Sequence, residues 1–317
     1  MTATPASLLP SEEGRPPLPV RPGLWLFAPS RESQGGSAWL LEAAGADLLI
    51  DCPAYTRANL RFLAGRPRRR SAESGAHGAW IVLTGRGGHG RCRRLQQALG
   101  WPVLVQEQEA YLLPGVDPLH TFAAEHRLEP DVRLLWTPGP SPGACVVQVA
   151  PAAGDGRGGL FCGRLLVPVA PARVAPLRQR STFHWGRQMR SIERLRGWLP
   201  PGSPGWIASG AGLGALRGEK LVEQGAALLA ALDLEALALQ PPPGGWRLAP
   251  LPRNAPLRTP WTPNRCHEWT SPVAALPQHP YDWRAERTGR SGTSDSPPSL
   301  DVPNPAIATY PEASPEQ

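Results

Sequence analysis

His89 is the one histidine of a glycine-rich turn that directly follows a short apolar run, a place where side chains can do chemistry. The apolar run is Trp80–Leu83 and the turn is Gly85–Gly90. A short apolar run that ends in turn residues is typical of a buried strand delivering its next residues to the rim of a sheet. The following segment, Arg91–Gly100, has apolar residues at helical spacing and a glycine suited to a C-cap. The pattern predicts a strand, a tight turn and a helix.

Two kinds of site are compatible with such a turn. Backbone N–H groups of a glycine-rich loop that opens a helix can bind phosphate. However, the turn that contains Gly85, Gly87, Gly88 and Gly90 lacks the Lys-Ser/Thr of a phosphate loop, which disfavours this kind of site. A metal site is the second kind, and His89 alone could not form it.

Five segments, taken together, carry a resemblance to a known family. They are residues 35–53 (a hairpin pattern ending in Asp51-Cys-Pro), 80–90, 137–143 (TPGPSPG), 160–165 (LFCGRL) and 207–212 (IASGAG). Their order and spacing over about residues 23–235 resemble the metallo-β-lactamase superfamily. In that family the matching motifs are T-H-x-H-x-D-H, T-P-G-H-[ST]-x-G, L-F-x-G-D-x-L and a late P-G-H-G turn. The resemblance implies an α/β fold, a four-layer αββα sandwich, and a zinc or iron hydrolase ancestry.

The departures from these motifs remove the ligands that the family uses. Gly85 and Gly87 stand at the first two histidine positions, His89 at the aspartate and Gly90 at the third histidine; Pro140, Arg164 and Ala211 replace the later histidine, bridging aspartate and last histidine. A catalytic zinc site needs about three protein ligands. The sequence therefore predicts no metal and no cofactor, and it argues against metal-activated hydrolysis.

The candidate site residues follow from this alignment. The candidates for a cleft that binds an anion are Arg164, His89, Gly87 and Gly88, and the weaker catalytic candidates are His89, Asp51 and His184. Structural functions compete with these assignments and are favoured for two of them. Asp51 is predicted to cap a helix at Thr56–Leu63, and His184 to cap or precede the helix that begins near Trp185.

Composition favours one folded domain with extended ends in a chain of 317 residues. Residues 1–22 are predicted to be disordered, and residues 241–317 are predicted to form an extended or disordered tail. The folded domain is predicted to cover residues 23–240, so that the whole is an αββα domain with disordered termini. The segment 241–317 holds 17 of the 40 prolines, although it also contains Trp246, Trp261, Trp269 and Trp283. A signal-peptide core and a membrane-length apolar run are both missing, which predicts a cytoplasmic protein without membrane contact.

The cysteines and the charge allow further expectations. An odd count of five cysteines without a C-x-x-C pair predicts reduced structural thiols. The net charge is +7, with a basic run at Arg66–Arg70. This run is predicted to be a solvated loop, because it lacks the aromatic residues that stack on bases, and a nucleic-acid partner is the less favoured alternative.

Three functions remain as alternatives. The favoured one is a catalytically degenerate protein with a binding or scaffold function, whose cleft takes a small anion. The second is an ester, thioester or phosphoester hydrolase that works through other residues. The third is an adaptor whose C-terminal tail recruits a partner.

Overall fold

A computed structural model describes residues 9–66, 78–151 and 158–243, which form two large sheets flanked by helices. The strands are β1 (Leu18–Arg21), β2 (Leu24–Phe27), β3 (Ala38–Glu42), β4 (Asp47–Ile50), β5 (Ala79–Leu83), β6 (Val103–Gln106), β7 (Leu119–Phe122), β8 (Glu125–Glu129), β9 (Val132–Trp136), β10 (Cys145–Val149), β11 (Gly159–Phe161), β12 (Val167–Ala170), β13 (Arg173–Ala175), β14 (Trp206–Ala208) and β15 (Val222–Glu223). The helices are α1 (Arg57–Ala64), α2 (Cys92–Leu99), α3 (Trp185–Trp198), α4 (Gly225–Ala230) and α5 (Leu234–Ala238). Short 3₁₀ turns cover Arg86–Gly88, Glu107–Leu112 and Gly214–Leu216.

Each of the two large sheets contains both antiparallel and parallel strand pairs. The first sheet has the order β1-β2-β3-β4-β5-β6-β7, antiparallel from β1 to β4 and parallel from β4 to β7. The second has the order β15-β14-β11-β10-β9-β8, in which only the β11–β14 pair is parallel. Strands β12 and β13 form a separate hairpin.

Three apolar clusters separate four layers. Between the sheets, Leu48, Ile50 and Val82 of the first sheet belong to one cluster with Val147 and Phe161 of the second. A second cluster joins the outer face of the first sheet to α1 and α2, and a third joins the outer face of the second sheet to α3 and α4. Each fully buried large apolar side chain contributes about 1.5–3 kcal/mol. The layers are therefore helices, sheet, sheet and helices, which confirms the predicted αββα sandwich.

The ordered N-terminal part begins earlier than predicted. Strand β1 pairs with β2, and the Glu12 and Glu13 carbonyls accept hydrogen bonds from the Arg57 and Ala58 amides at the start of α1. The expectation of disorder through residue 22 is therefore wrong for the part of this segment that the structure describes. The prediction missed this strand because Pro19 and Pro22 mark a loop in the sequence, whereas proline is tolerated at a sheet edge.

The sequence of residues 219–232 predicts one continuous helix, and the structure corrects this prediction. Residues 222–223 form β15, and Gln224 takes a left-handed φ of 57° before α4 begins at Gly225. A short edge strand therefore precedes the helix.

Arg66 belongs to the fold rather than to a solvated loop. Its guanidinium pairs with Glu42 and with Asp47, the latter at 3.0 Å, and it stacks 4.6 Å from the Trp25 ring centroid. The other arginines of the run, residues 68–70, lie outside the described residues.

The four cysteines that the structure describes, Cys52, Cys92, Cys145 and Cys162, are buried and free, as expected for structural thiols. Cys266 and the four tryptophans of the predicted tail lie outside the described residues. None of the helices in the described part of the chain is long and apolar enough to cross a bilayer.

Candidate functional site

The candidate site is a cleft at the ends of strands from both sheets. Asp51 follows β4, the glycine-rich turn follows β5, and Arg164 follows β11. A cavity of about 90 Å³ is lined by these three groups together with the loop after β9 and Ala211 after β14. Since β4 and β5 are parallel, as are β11 and β14, their loops emerge on one side of the sandwich. The segments that resemble family motifs thus meet in one place.

Asp51 fixes the start of the glycine-rich turn. Its Oδ1 accepts a hydrogen bond from the Thr84 backbone N–H at 2.8 Å, and its Oδ2 accepts one from the Thr84 hydroxyl at 2.7 Å. The cap of α1 is Thr56 instead, whose hydroxyl accepts from the Asn59 amide. The prediction that Asp51 caps this helix is therefore wrong, because both oxygens of its carboxylate are directed to the end of β5.

The turn needs glycine at two positions because neighbouring side chains occupy the space above the backbone. A Cβ on Gly88 would lie 2.0 Å from Asp51 Oδ1, and a Cβ on Gly87 would lie 2.6 Å from Arg164 Nε. Both distances are far shorter than a van der Waals contact. The two glycines therefore allow the carboxylate and the guanidinium to approach the loop, and both line the cleft as predicted.

Arg164 is held from the opposite side of the cleft. Its Nη2 donates to the carbonyls of Ser33 at 2.7 Å and Gln34 at 3.0 Å. Burial lowers the pKa of the Arg164 guanidinium from its ordinary value, and the charge of Asp51 opposes this shift. Burial also raises the pKa of Asp51 to about 6, against the opposing effects of the Thr84 hydrogen bonds and Arg164. The cleft therefore holds the fixed Arg164 cation and a carboxyl group whose ionisation is opposed by burial.

His89 is directed away from the cleft. Its Nε2 lies 3.5 Å from Oε2 of the fully buried Glu109, and its ring lines a different cavity, bounded by α2 and residues 112–116. Burial lowers the pKa of His89, although the Glu109 carboxylate favours the protonated ring. The prediction that His89 lines the cleft beside Arg164 is therefore wrong. His89 directly follows the 3₁₀ turn at Arg86–Gly88 and lies just before α2.

His184 has the capping function that was favoured for it. Its Nδ1 accepts a hydrogen bond from the Arg187 N–H at 3.1 Å, and the neighbouring Trp185 is buried against the second sheet. His184 lines a third cavity, beside Phe183 and Pro242. The three catalytic candidates Asp51, His89 and His184 thus line three different cavities.

Solved structures resemble this chain in fold at low sequence identity. Neither a protein-family model nor a curated protein matches the chain. Among solved structures, VMB-1 is similar with a TM-score of 0.50 at 12% identity, over 73% of this chain and 98% of that one. A B3 metallo-β-lactamase with an active-site glutamic acid gives 0.47 at 18% identity, over 69% and 87%. An archaeal metallo-β-lactamase superfamily protein from Sulfolobus tokodaii gives 0.44 at 18% identity, over 69% and 86%.

This protein has the metallo-β-lactamase fold. The fold's resemblance to metal enzymes raises the question of whether the residues present suit a metal. Within the described ranges, the structure contains no group of three His, Cys, Asp or Glu side chains able to hold an ion. Beside Asp51, the cleft offers glycine, proline and alanine at the resembled ligand positions, and the Arg164 cation would repel a metal. The cleft residues that the structure describes do not fit zinc or iron.

Several polar residues that line the cleft are not candidates from the sequence, and Ser141 and Gln188 are two of them. Ser141 belongs to the TPGPSPG segment, and Gln188 lies on α3. Gln188 sits four residues before Ile192, on the apolar face that also carries Met189 and Leu195. A polar residue within an apolar stripe is the signal that could have identified it.

Proposed function

We propose that this protein is a catalytically degenerate member of the metallo-β-lactamase fold and that its cleft binds a small anion instead of a metal. The observation that carries the proposal is the position of Arg164. Its guanidinium lies against the glycine-rich turn and is fixed by two backbone carbonyls. A bridging carboxylate at this place would attract a cation, whereas a guanidinium favours an anion.

The other charged groups around the cleft support this proposal. Arg86 also lines the cleft, and its Nε lies 3.7 Å from Glu109 Oε1. Asp51 is the one acidic residue among those that line the cavity, and its burial disfavours the ionised form. An incoming anion therefore meets two arginines and one carboxyl group that is ready to become neutral.

The alternative of a hydrolase acting through other residues lacks a supporting arrangement. General acid–base catalysis requires groups within hydrogen-bond reach of the same reacting atoms. Asp51, His89 and His184 are spread over three cavities. The adaptor alternative depends on residues 244–317, which lie outside the described part of the chain.

Metal content is the direct test of the proposal. The full chain is purified, incubated with zinc or iron(II), dialysed and measured by elemental analysis; we expect far less than one ion per chain. Lactone, thioester and phosphodiester hydrolysis, measured alongside, should not exceed that of a heat-inactivated sample. Near-stoichiometric metal that is lost in Asp51→Ala, but retained in the matched surface variant Asp233→Ala, would overturn the proposal.

A further inference from the structure

Two polar atoms buried at the cleft have no hydrogen-bond partner in the described part of the chain. They are Oγ of Ser141 and Oε1 of Gln188, in residues that are only 4% and 1% exposed. Leaving a buried polar group unpaired costs about 1–3 kcal/mol. Both residues line the same cavity as Arg164. Such atoms are therefore candidates for contacts that a ligand completes.

The surrounding bonds determine what each atom can offer. The Gln188 Nε2 group donates to the Leu165 carbonyl at 2.9 Å, which leaves its Oε1 as an open acceptor. The Ser141 hydroxyl can donate to an acceptor that enters the cleft. Its backbone is anchored separately, because the Ser141 carbonyl accepts from the Gly139 and Ala144 amides. The cleft thus combines a cation, a hydroxyl donor and an acceptor.

We infer that the cleft binds a small hydroxycarboxylate. Its carboxylate would contact Arg164 and the Ser141 hydroxyl, and its hydroxyl group would donate to Gln188 Oε1. This inference rests on the proposed function, since it places an anion where the family would hold a metal. It adds the ligand's chemical class and two residues that recognise it.

The carboxylate is favoured over a phosphate for two reasons. Nη2 of Arg164 is already occupied by two carbonyls, so only part of the guanidinium remains for a ligand. The Asp51 carboxyl group also lines this cavity of about 90 Å³, and whenever it is ionised its charge opposes a dianion more than a monoanion. A compact monoanion suits this space and this charge.

Three matched probes separate the contacts in the full-length protein. Glycerate carries both groups, propionate lacks the hydroxyls and glycerol lacks the carboxylate. Binding is measured by ligand-observed NMR titration in low salt. We expect glycerate to bind about fivefold or more tightly than propionate, as one neutral hydrogen bond predicts, and glycerol to show no saturable binding.

Variants assign the contacts to residues. Gln188→Met should reduce glycerate affinity to that of propionate and leave propionate unchanged. Ser141→Ala should weaken the binding of both glycerate and propionate. It should not lower the stability of the protein, since this hydroxyl has no partner within the described structure. Ser191→Ala is the control, because the Ser191 hydroxyl donates to the Pro138 carbonyl and does not line the cleft. It should lower stability and leave binding unchanged.

Several results would overturn the inference. They are equal affinity for glycerate and propionate, tighter binding of inorganic phosphate, no saturable binding of glycerate, or full binding by Ser141→Ala. If Gln188→Met does not fold, the Ser141→Ala and Ser191→Ala pair decides. The two proposals fail in different ways. Stoichiometric metal overturns the proposed function. A metal-free protein that does not bind glycerate overturns only the inference that the ligand is a hydroxycarboxylate.

Discussion

Asp51 combines an unusual backbone with a buried acidic side chain. Its φ of 62° lies in the left-handed region, which costs a non-glycine residue about 1–3 kcal/mol. This conformation turns the chain out of β4 while its carboxylate reaches Thr84. Strain of this kind persists only where the surrounding structure holds it in place. Asp51 therefore organises the start of the glycine-rich turn through its backbone conformation and its two hydrogen bonds to Thr84.

The buried carboxyl group predicts a pH-dependent stability. Its pKa is about 6 in the folded protein against an ordinary 3.8, so the native state binds more protons between these pH values. The free energy of unfolding should therefore fall as pH rises from about 4 to 6, by about 3 kcal/mol from this group. Asp51→Asn should remove this part of the slope in urea unfolding at pH 4–7. Parallel pH profiles of the two proteins would contradict the prediction.

The sequence indicates some of the residues that line the cleft but not others. Arg164, Gly87 and Gly88 line the cleft, and their anion-binding function stays a prediction. His89 was misplaced because a turn's spacing does not reveal the direction of its side chains. Ser141 and Gln188 required the structure, since their importance rests on hydrogen bonds that are missing rather than on a motif.

Helix α3 connects the cleft to the outer layer of the second sheet. Its buried face packs Met189, Ile192 and Leu195 into the outer cluster, and the same face carries Gln188 to the cleft. The position of Gln188 therefore depends on where the helix begins. The start is set by His184, whose backbone N–H donates to the Gly139 carbonyl and whose ring accepts from Arg187.

Replacing this cap should have a graded effect on stability. His184→Ala removes the acceptor for the Arg187 N–H and should lower the free energy of unfolding by about 1 kcal/mol. His184→Asp keeps an acceptor and adds a negative charge at the helix N-terminus, so it should match or exceed the wild type. Urea unfolding of the three proteins measures this order. A destabilisation by aspartate equal to that by alanine would argue against the cap.

The elements that sequence predicts well are those with a buried periodic pattern. Strand β5 and helices α1 and α2 lie within one residue of the bounds that the sequence predicts. Strand β7, with two exposed residues, and strand β12, with Pro168, have no such pattern and were missed. Strand β15 was mistaken for helix because only two residues pair there. Pairing with a neighbouring strand, rather than local propensity, determines these short elements.

At the scale of the whole molecule, the two sheets are joined by direct contacts as well as by apolar packing. The Trp39 side chain on β3 lies in the central cluster, with its ring centroid 6.2 Å from that of Phe161 on β11. Its Nε1 donates to the Ser209 carbonyl after β14 at 3.0 Å. The Thr84 carbonyl accepts from the Cys145 amide in the same region. These contacts therefore fix the position of the two sheets relative to each other beside the cleft.

Trp39→Phe tests how strongly the contact between the two sheets contributes to the stability of the protein. The substitution removes the donor to the Ser209 carbonyl and leaves a cavity in a site that is 1% exposed, so it should lower the free energy of unfolding by about 2–4 kcal/mol. Trp25→Phe is the matched control, because Trp25 is half-buried on the outer face against Phe62 and Arg66, and it should cost about 1 kcal/mol. Urea unfolding followed by fluorescence and circular dichroism gives both values. Equal losses in the two variants would show that the contact between the sheets adds nothing beyond ordinary burial of an aromatic ring.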